Sequence, residues 1–443
     1  MRALQAGIRT VRHDGIDASL FLSDLHLPVD LPMEPLSSLR AFAISLPFAT
    51  HAFFACLTCL LLLRGLAPRL GLLDMPDLRK RHDAPVPLVG GLAVYFAVAA
   101  SVVVFVPHSI TALFVVIAGV VLALGVVDDR HDIPARYRIL AQLAIAWLTV
   151  AYGGVEINRI GNLVGLGTLE LGGLFAVVFS VLCIVGVINA YNMIDGVDGL
   201  SGSIALVTFA GIGTLCLMHG LEVGTQLSMI FGGALLAFLC LNARVLVPRA
   251  RVFLGDSGST LVGFALAWLF ISLTQAEAAS VSPVVAGWLF GLPLIDTVSV
   301  MVRRVSNGIS PMTGGRDHMH HRLIDAGWSI NRTVATMLAV HTGMVVVGVL
   351  ANAYPALEPV LFLGFVVLVL CYHAALPPIA SAINRRGMAR RQALSGGPAS
   401  GPAVALASHG PAPDATRRES PSLANGAPND RRREQQRRPG VVA

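Results

Sequence analysis

Apolar residues along this chain gather into eleven stretches of roughly lipid-spanning length, broken by short polar loops. The stretches run approximately over 41–63, 88–106, 110–127, 139–155, 171–190, 201–219, 225–243, 259–274, 283–302, 333–352 and 356–378. A helix crossing a bilayer core needs about 20 predominantly apolar residues. The pattern therefore predicts an all-α integral membrane protein of about eleven transmembrane helices. The fourth and eighth stretches are the shortest, and their ends the least defined.

Eleven spans put the two termini on opposite sides and divide the loops into two sets. One set, 64–87, 128–138, 191–200, 244–258 and 303–332, holds sixteen Arg or Lys residues, whereas the opposite loops hold only Arg159. Positive charge is retained on the cytoplasmic side, so the first set is expected in the cytoplasm. Composition agrees: 55% of the 443 residues are hydrophobic and 13% charged, against about 25% charged in soluble domains. This excludes a soluble enzyme, a disordered protein and a nucleic-acid binder.

The net charge of +6 belongs to the tail. From Arg385 onward there are 11 Arg against Asp414, Glu419, Asp430 and Glu434, which leaves 21 basic and 22 acidic residues elsewhere. Residues 385–443 read as a disordered, Arg-rich cytoplasmic tail, solvated or touching anionic lipid. Residues 41–380 form the membrane domain. Residues 1–40 read as a disordered extension or a mis-assigned start, with Met33 a possible beginning; their acids and lack of a compact apolar core argue against a cleaved signal. All six cysteines, including the Cys56/Cys59 pair, fall in apolar stretches and read as packing thiols.

Each loop of the basic set carries a polar cluster. The first contains Asp74, Asp77 and Lys80, the sole lysine, able to hold a phosphate by charge. The second is Asp128-Asp129-Arg130 at a span end; adjacent carboxylates repel unless a cation or proton intervenes, which suits a metal or a general base. Arg136 and Arg138 follow as candidate anion ligands. In the third, Asn189, Asn192, Asp195 and Asp198 recur every three residues, an oxygen-only set suited to Mg²⁺ or Mn²⁺. The fourth, Gly255-Asp256-Ser257-Gly258, opens a span and serves either as a helix cap or as a phosphate cradle. The fifth is Asp317-His318-Met319-His320-His321-Arg322. No cysteine lies near it, so hydrogen bonding to a sugar or phosphate is preferred over zinc. Within the spans, Asp296 is a functional candidate because a carboxylate in lipid is costly, while His51 and His341 read as ordinary packing.

These five clusters, in this order on one membrane face, resemble the polyprenyl-phosphate N-acetylhexosamine-1-phosphate transferase superfamily (glycosyltransferase family 4), over about residues 74–322. The resemblance implies transfer of a sugar-1-phosphate from a UDP-sugar donor to undecaprenyl phosphate with Mg²⁺ or Mn²⁺, releasing UMP at the cytoplasmic face of the bacterial inner membrane. It assigns Asn192 and Asp256 to the metal, Asp128 and Asp129 to a catalytic pair, and Asp195 and Asp198 to the nucleotide or active-site network. Lys80, Arg138, Asn189, His318, His320, His321 and Arg322 become substrate-binding residues. Met319 interrupts the histidines, which favours the N-acetylglucosamine branch over the UDP-MurNAc-pentapeptide branch. Other UDP-N-acetylhexosamines stay open, as do a homodimer and, from a different class, a membrane transporter.

Overall fold

A computed structural model describes residues 35–75, 84–275, 281–311 and 315–375 of the chain, with side chains from residue 42 onward. Lys80, most of the 1–40 extension and the 385–443 tail lie outside the described residues. The structure is helical throughout, apart from two small antiparallel ladders, β1 (Leu73–Asp74) with β2 (Val86–Pro87) and β3 (Arg159–Gly161) with β4 (Leu169–Glu170). The helices are α1 (Pro35–Leu70), α2 (Gly90–Phe105), α3 (Ser109–His131), α4 (Ala135–Gly153), α5 (Gly173–Ile194), α6 (Leu200–Met218) and α7 (Glu222–Asn242). They continue as α8 (Gly255–Gln275), α9 (Pro283–Leu289), α10 (Gly291–Ser306), α11 (Met319–Asp325) and α12 (Ile330–Ala351). A last helical segment, α13, covers Pro355–Ala375.

Among the described residues, eight helices are long and apolar enough to cross a membrane: α1, α3, α5, α6, α7, α8, α12 and α13. Each of the other three predicted spans departs from a simple apolar helix. The second, α2, has only 16 residues. The fourth, α4, carries Arg136, Arg138 and Gln142 in its first turns, and these lower its hydropathy. The ninth is broken, α9 and α10 meeting at 83°. Pro293 explains the break: it lacks an N–H and its ring clashes with the carbonyl four residues back, here that of Leu289, the last residue of α9.

Helix α8 is the central column, with 94% of its apolar window buried. Without a hydrophobic drive between helices in lipid, close packing of small residues holds such a column in place. A Cβ on Gly91 of α2 would lie 2.3 Å from the Gly258 nitrogen of α8, so the two backbones touch. Deeper in the core, Phe114 stacks on Phe264 at 6.0 Å and meets Trp268 edge-on at 5.4 Å. The in-span histidines are packing residues, His51 beside Ser101 and His341 beside Thr208, each at 2.9 Å. All six cysteines are free.

Hydrogen bonds tie the loops together in two groups. At one end Gln275 accepts from the Asn158 and Arg159 amides, Ser282 bonds to Glu358, and His219 meets Asn352. At the other, the Gly90 and Gly91 amides donate to Phe253 and Leu254 carbonyls, and Gly199 N donates to Asn242 Oδ1. The second end gathers the acidic clusters.

Replacing Gly91 by Ala forces α2 off α8. The expected loss is about 1–3 kcal/mol, typical of overpacking, seen as earlier thermal unfolding of the detergent-solubilised protein. Gly343→Ala, whose Cβ meets open space, should be neutral or slightly stabilising.

Candidate active site

The polar ends of the helices enclose a cavity of about 1260 Å³ to which all five sequence clusters contribute. Among the described residues, seven aspartates (Asp74, Asp128, Asp129, Asp132, Asp195, Asp198 and Asp256) line it against five arginines (Arg64, Arg244, Arg249, Arg251 and Arg316). Among the described residues the acids outnumber the bases at the edge of an apolar medium, so how each carboxylate is compensated decides what it can do.

Asp128 and Asp129 end α3 and, one residue apart, point about 100° away from each other around the helix. Asp128 is 3% exposed. Its Oδ2 accepts from Arg138 Nη1 at 2.6 Å and its Oδ1 from the Ile133 amide at 2.8 Å. Arg138 also reaches to 3.9 Å from Asp256 Oδ2. Asp129 turns to α8 instead: its two oxygens accept from the Asp256 and Ser257 amides at 2.6 and 3.0 Å. It caps α8 from outside, satisfying two of the free amides that begin any helix. Gly255, at φ 76°, makes this possible, since a Cβ there would sit 2.6 Å from Asp129 Oδ2.

Asp256 itself stands at the mouth of α8 with its side chain 38% exposed. Asn192, in the last turn of α5, donates its amide to Asp256 Oδ1 at 2.6 Å and to Ser259 Oγ at 2.8 Å. Asp195 follows at the α5 C-cap, bonded by Ser201 Oγ at 2.6 Å. Burial, and then the neighbouring Asp256 and Asp198 charges, raise its pKa to about 7 against the pull of Ser201. Asp198 is paired with Arg244 Nε at 2.7 Å. Asn189, three residues before Asn192, faces α4 and bonds to Gln142 Oε1 at 2.6 Å; it does not line the cavity.

The fifth cluster divides in the same way. His321 lines the cavity, joined by Arg316 just upstream. His318 is buried and tied to Asp296 Oδ2 at 2.8 Å. A carboxylate only accepts, so His318 Nδ1 carries the proton in that bond. Asp296 also accepts from the Met319 amide at 3.1 Å and from Tyr372 Oη at 2.6 Å. The intramembrane carboxylate flagged by the sequence is thus a latch joining α10, α11 and α13. His320 is fully buried over Gly196, and its pKa falls to about 3, chiefly through burial; it stays neutral. Arg322 donates to the Asp317 carbonyl at 2.8 Å, away from the cavity.

Sequence reasoning passed over Arg316, Arg64, Arg244, Arg249 and Arg251 as site residues. All sit in loops where the positive-inside bias already accounts for arginine, so their residue type carried no separate signal. Among the described residues no three His, Cys, Asp or Glu side chains are grouped to cage a metal. The cavity does offer isolated oxygens, Asp256 beside Asn192 and Asp195 nearby. That fits a Mg²⁺ ion, which keeps several waters and takes one or two carboxylates plus substrate phosphates.

The family model described as glycosyl transferase family 4 matches residues 110–274, from α3 through α8. A protein of Escherichia coli (strain K12), named undecaprenyl-phosphate alpha-N-acetylglucosaminyl 1-phosphate transferase, is 35% identical over 294 residues, 65% of this chain and 79% of that protein. A protein of the same name from Haemophilus influenzae is 33% identical over 322 residues, 72% of this chain and 90% of its own length. The Salmonella typhimurium counterpart is 35% identical over 296 residues, covering 66% and 79%.

This chain belongs to glycosyl transferase family 4. The matched segment contains Asp128, Asp129, Asn192, Asp195 and Asp256, so the acidic centre of the cavity lies wholly within the family's defining region. Arg316 and His321 fall beyond it.

Asp129→Ala should cost about 1–2 kcal/mol, the range for a lost N-cap, in thermal unfolding of the purified protein. Asp256→Asn should leave unfolding unchanged, because its carboxylate faces the cavity. Equal destabilisation by the two would contradict the division of roles.

Proposed function

We propose that the chain transfers N-acetylglucosamine-1-phosphate from UDP-N-acetylglucosamine to undecaprenyl phosphate, releasing UMP. The reaction takes place at the cytoplasmic face of a bacterial plasma membrane and starts a lipid-linked envelope glycan. In this reading the broken α9–α10 pair, α2 and α4 join the eight long helices to give eleven crossings, with the cavity end inside. The observation that carries the proposal is the meeting of Asp128, Asp195 and Asp256 in one cavity, with Asn192 bonded to Asp256 and Arg138 to Asp128. That supports a site built for a cation-bound diphosphate.

Asp256, with Asn192 and Asp195 beside it, would hold Mg²⁺ or Mn²⁺, which when bound would supply positive charge to the donor diphosphate. Arg316 and the Arg244–Arg251 group supply further charge to the nucleotide phosphates. His321 faces the same space and is the residue of its loop best placed for the sugar. His318, His320 and Arg322 act through the shape of that loop. Asn189 and Asp198 position neighbouring residues.

The acceptor phosphate has a second pKa near 6, so it enters largely dianionic and needs little help from a base. Asp129 has both oxygens committed to α8, and Asp128 is held by Arg138 and a backbone amide. Neither is an uncommitted nucleophile, which supports direct attack of the lipid phosphate on the sugar-bearing phosphorus. Oxygen–phosphorus bond formation is matched by loss of the UMP oxygen, whose charge the cavity arginines face. A transporter reading is disfavoured because the acids gather at one end, and the intramembrane Asp296 has three donors.

Membranes containing this protein should release UMP from UDP-N-acetylglucosamine only when undecaprenyl phosphate and Mg²⁺ are both added. Asp256→Asn should lower turnover by about 10²–10³, the range for losing one electrostatic stabiliser. UMP release without lipid, or a preference for another UDP-sugar in a panel at equal concentration, would overturn the assignment.

A further inference from the structure

The break between α9 and α10 leaves a backbone group to satisfy. Pro293 has no N–H to offer the Leu289 carbonyl, and away from water neighbouring helices must supply the missing donor. Leu289 is fully buried. Thr208 of α6 reaches it: the hydroxyl lies 3.3 Å from Leu289 O, 3.0 Å from Ile204 O of its own helix and 2.9 Å from His341 Nε2 of α12. Thr208 and His341 are themselves fully buried.

A hydroxyl has a single proton to donate, so the three contacts compete for it. His341 Nδ1 is shielded and has no partner among the described residues. A proton there would be a buried donor with no acceptor, which places the ring's proton on Nε2. Nε2 then donates toward Thr208 Oγ1 and the adjacent Ile204 carbonyl. The hydroxyl proton is left for a carbonyl. Ile204 O already takes the helical amide four residues on, whereas Leu289 O has lost that donor to Pro293.

The packing around the break is tight. A Cβ on Gly348 of α12 would lie 2.7 Å from Leu289 Cδ1, and one on Gly211 of α6 2.6 Å from Val345 Cγ1. One on Gly291 would overlap Met344 of α12. The angle at which α10 leaves is therefore set by α6 and α12. Three residues past Pro293, Asp296 bonds His318 and the Met319 amide. The same loop presents Arg316 and His321 to the cavity.

We propose that Thr208 and His341 form a polar pin at the broken helix. They are positioning residues that fix the direction of α10 and, through Asp296, the placement of the Arg316–His321 loop against the donor. The effect on the donor rests on the transferase reading; the pin itself does not.

The test compares the full chain as wild type, Thr208→Val and Thr208→Ser, by hydrogen–deuterium exchange of the purified protein and by donor kinetics. Val keeps the shape without the hydroxyl, and Ser keeps the hydroxyl. Thr208→Cys, with only a weak S–H donor, replaces Thr208→Val should that variant fail to fold. In Thr208→Val, exchange over residues 290–306 and 315–322 should quicken by about tenfold, as for a lost net hydrogen bond. Helices α3, α7 and α8 should keep wild-type rates. KM for UDP-N-acetylglucosamine should rise severalfold, and Thr208→Ser should stay close to wild type in both measurements. His341→Phe should quicken the same segments by a smaller factor, because the hydroxyl remains. A merely structural hydroxyl would instead quicken exchange throughout the bundle and lower kcat at unchanged donor KM. That pattern, or wild-type exchange in Thr208→Val, would overturn the pin. Local quickening at unchanged donor KM would overturn the positioning role. A wild type without transferase activity would sink the transferase reading alone, with exchange still deciding the pin.

Discussion

The seven aspartates that line the cavity among the described residues coexist at the boundary of an apolar medium only if arginines, backbone amides, protons or a cation compensate them. Asp128 has Arg138, Asp198 has Arg244, and Asp129 has the opening amides of α8. Asp256 and Asp195 keep weaker protein compensation: Asp256 has an amide and a distant arginine, Asp195 a hydroxyl and a pKa raised to about 7. In the proposed reading, the remaining negative charge is what receives a divalent ion and, through it, a nucleotide diphosphate. The central claim about function reduces to this imbalance.

The fold serves that arrangement. Burying α8 on all sides fixes the position of Asp256 at its start, and the contact of Gly91 with Gly258 brings the 84–91 segment onto the same end. The break at Pro293 turns α10, and the Asp296 latch then holds the loop that presents Arg316 and His321. Asp296 therefore acts at a distance from the chemistry, with Tyr372 of the last helix as one of its donors.

Much of this was legible from sequence because lipid makes polar residues expensive, so a polar cluster between apolar runs stands out. The helical class, the sorting of loops by end and the convergence of five clusters all follow from that contrast. Roles within a cluster did not follow. Asp128 and Asp129 are the same residue type one position apart, and only the packing of α4 and α8 separates an arginine partner from a helix cap. Asn189 and Asn192 share a helical face by spacing, yet one meets Gln142 and the other Asp256. Among the histidines of the fifth cluster, His321 alone lines the cavity, a distinction made by Asp296, which is distant in sequence. The cavity-lining arginines were hidden because the positive-inside bias already accounts for arginine in the same loops.

The most direct measurement of the central claim is Mn²⁺ electron paramagnetic resonance on the purified protein with UDP-N-acetylglucosamine. The account predicts a bound Mn²⁺ showing phosphorus hyperfine coupling from the donor, lost in Asp256→Asn and retained in a variant of the distant latch, Tyr372→Phe. Coupling that persists unchanged without the Asp256 carboxylate would contradict it.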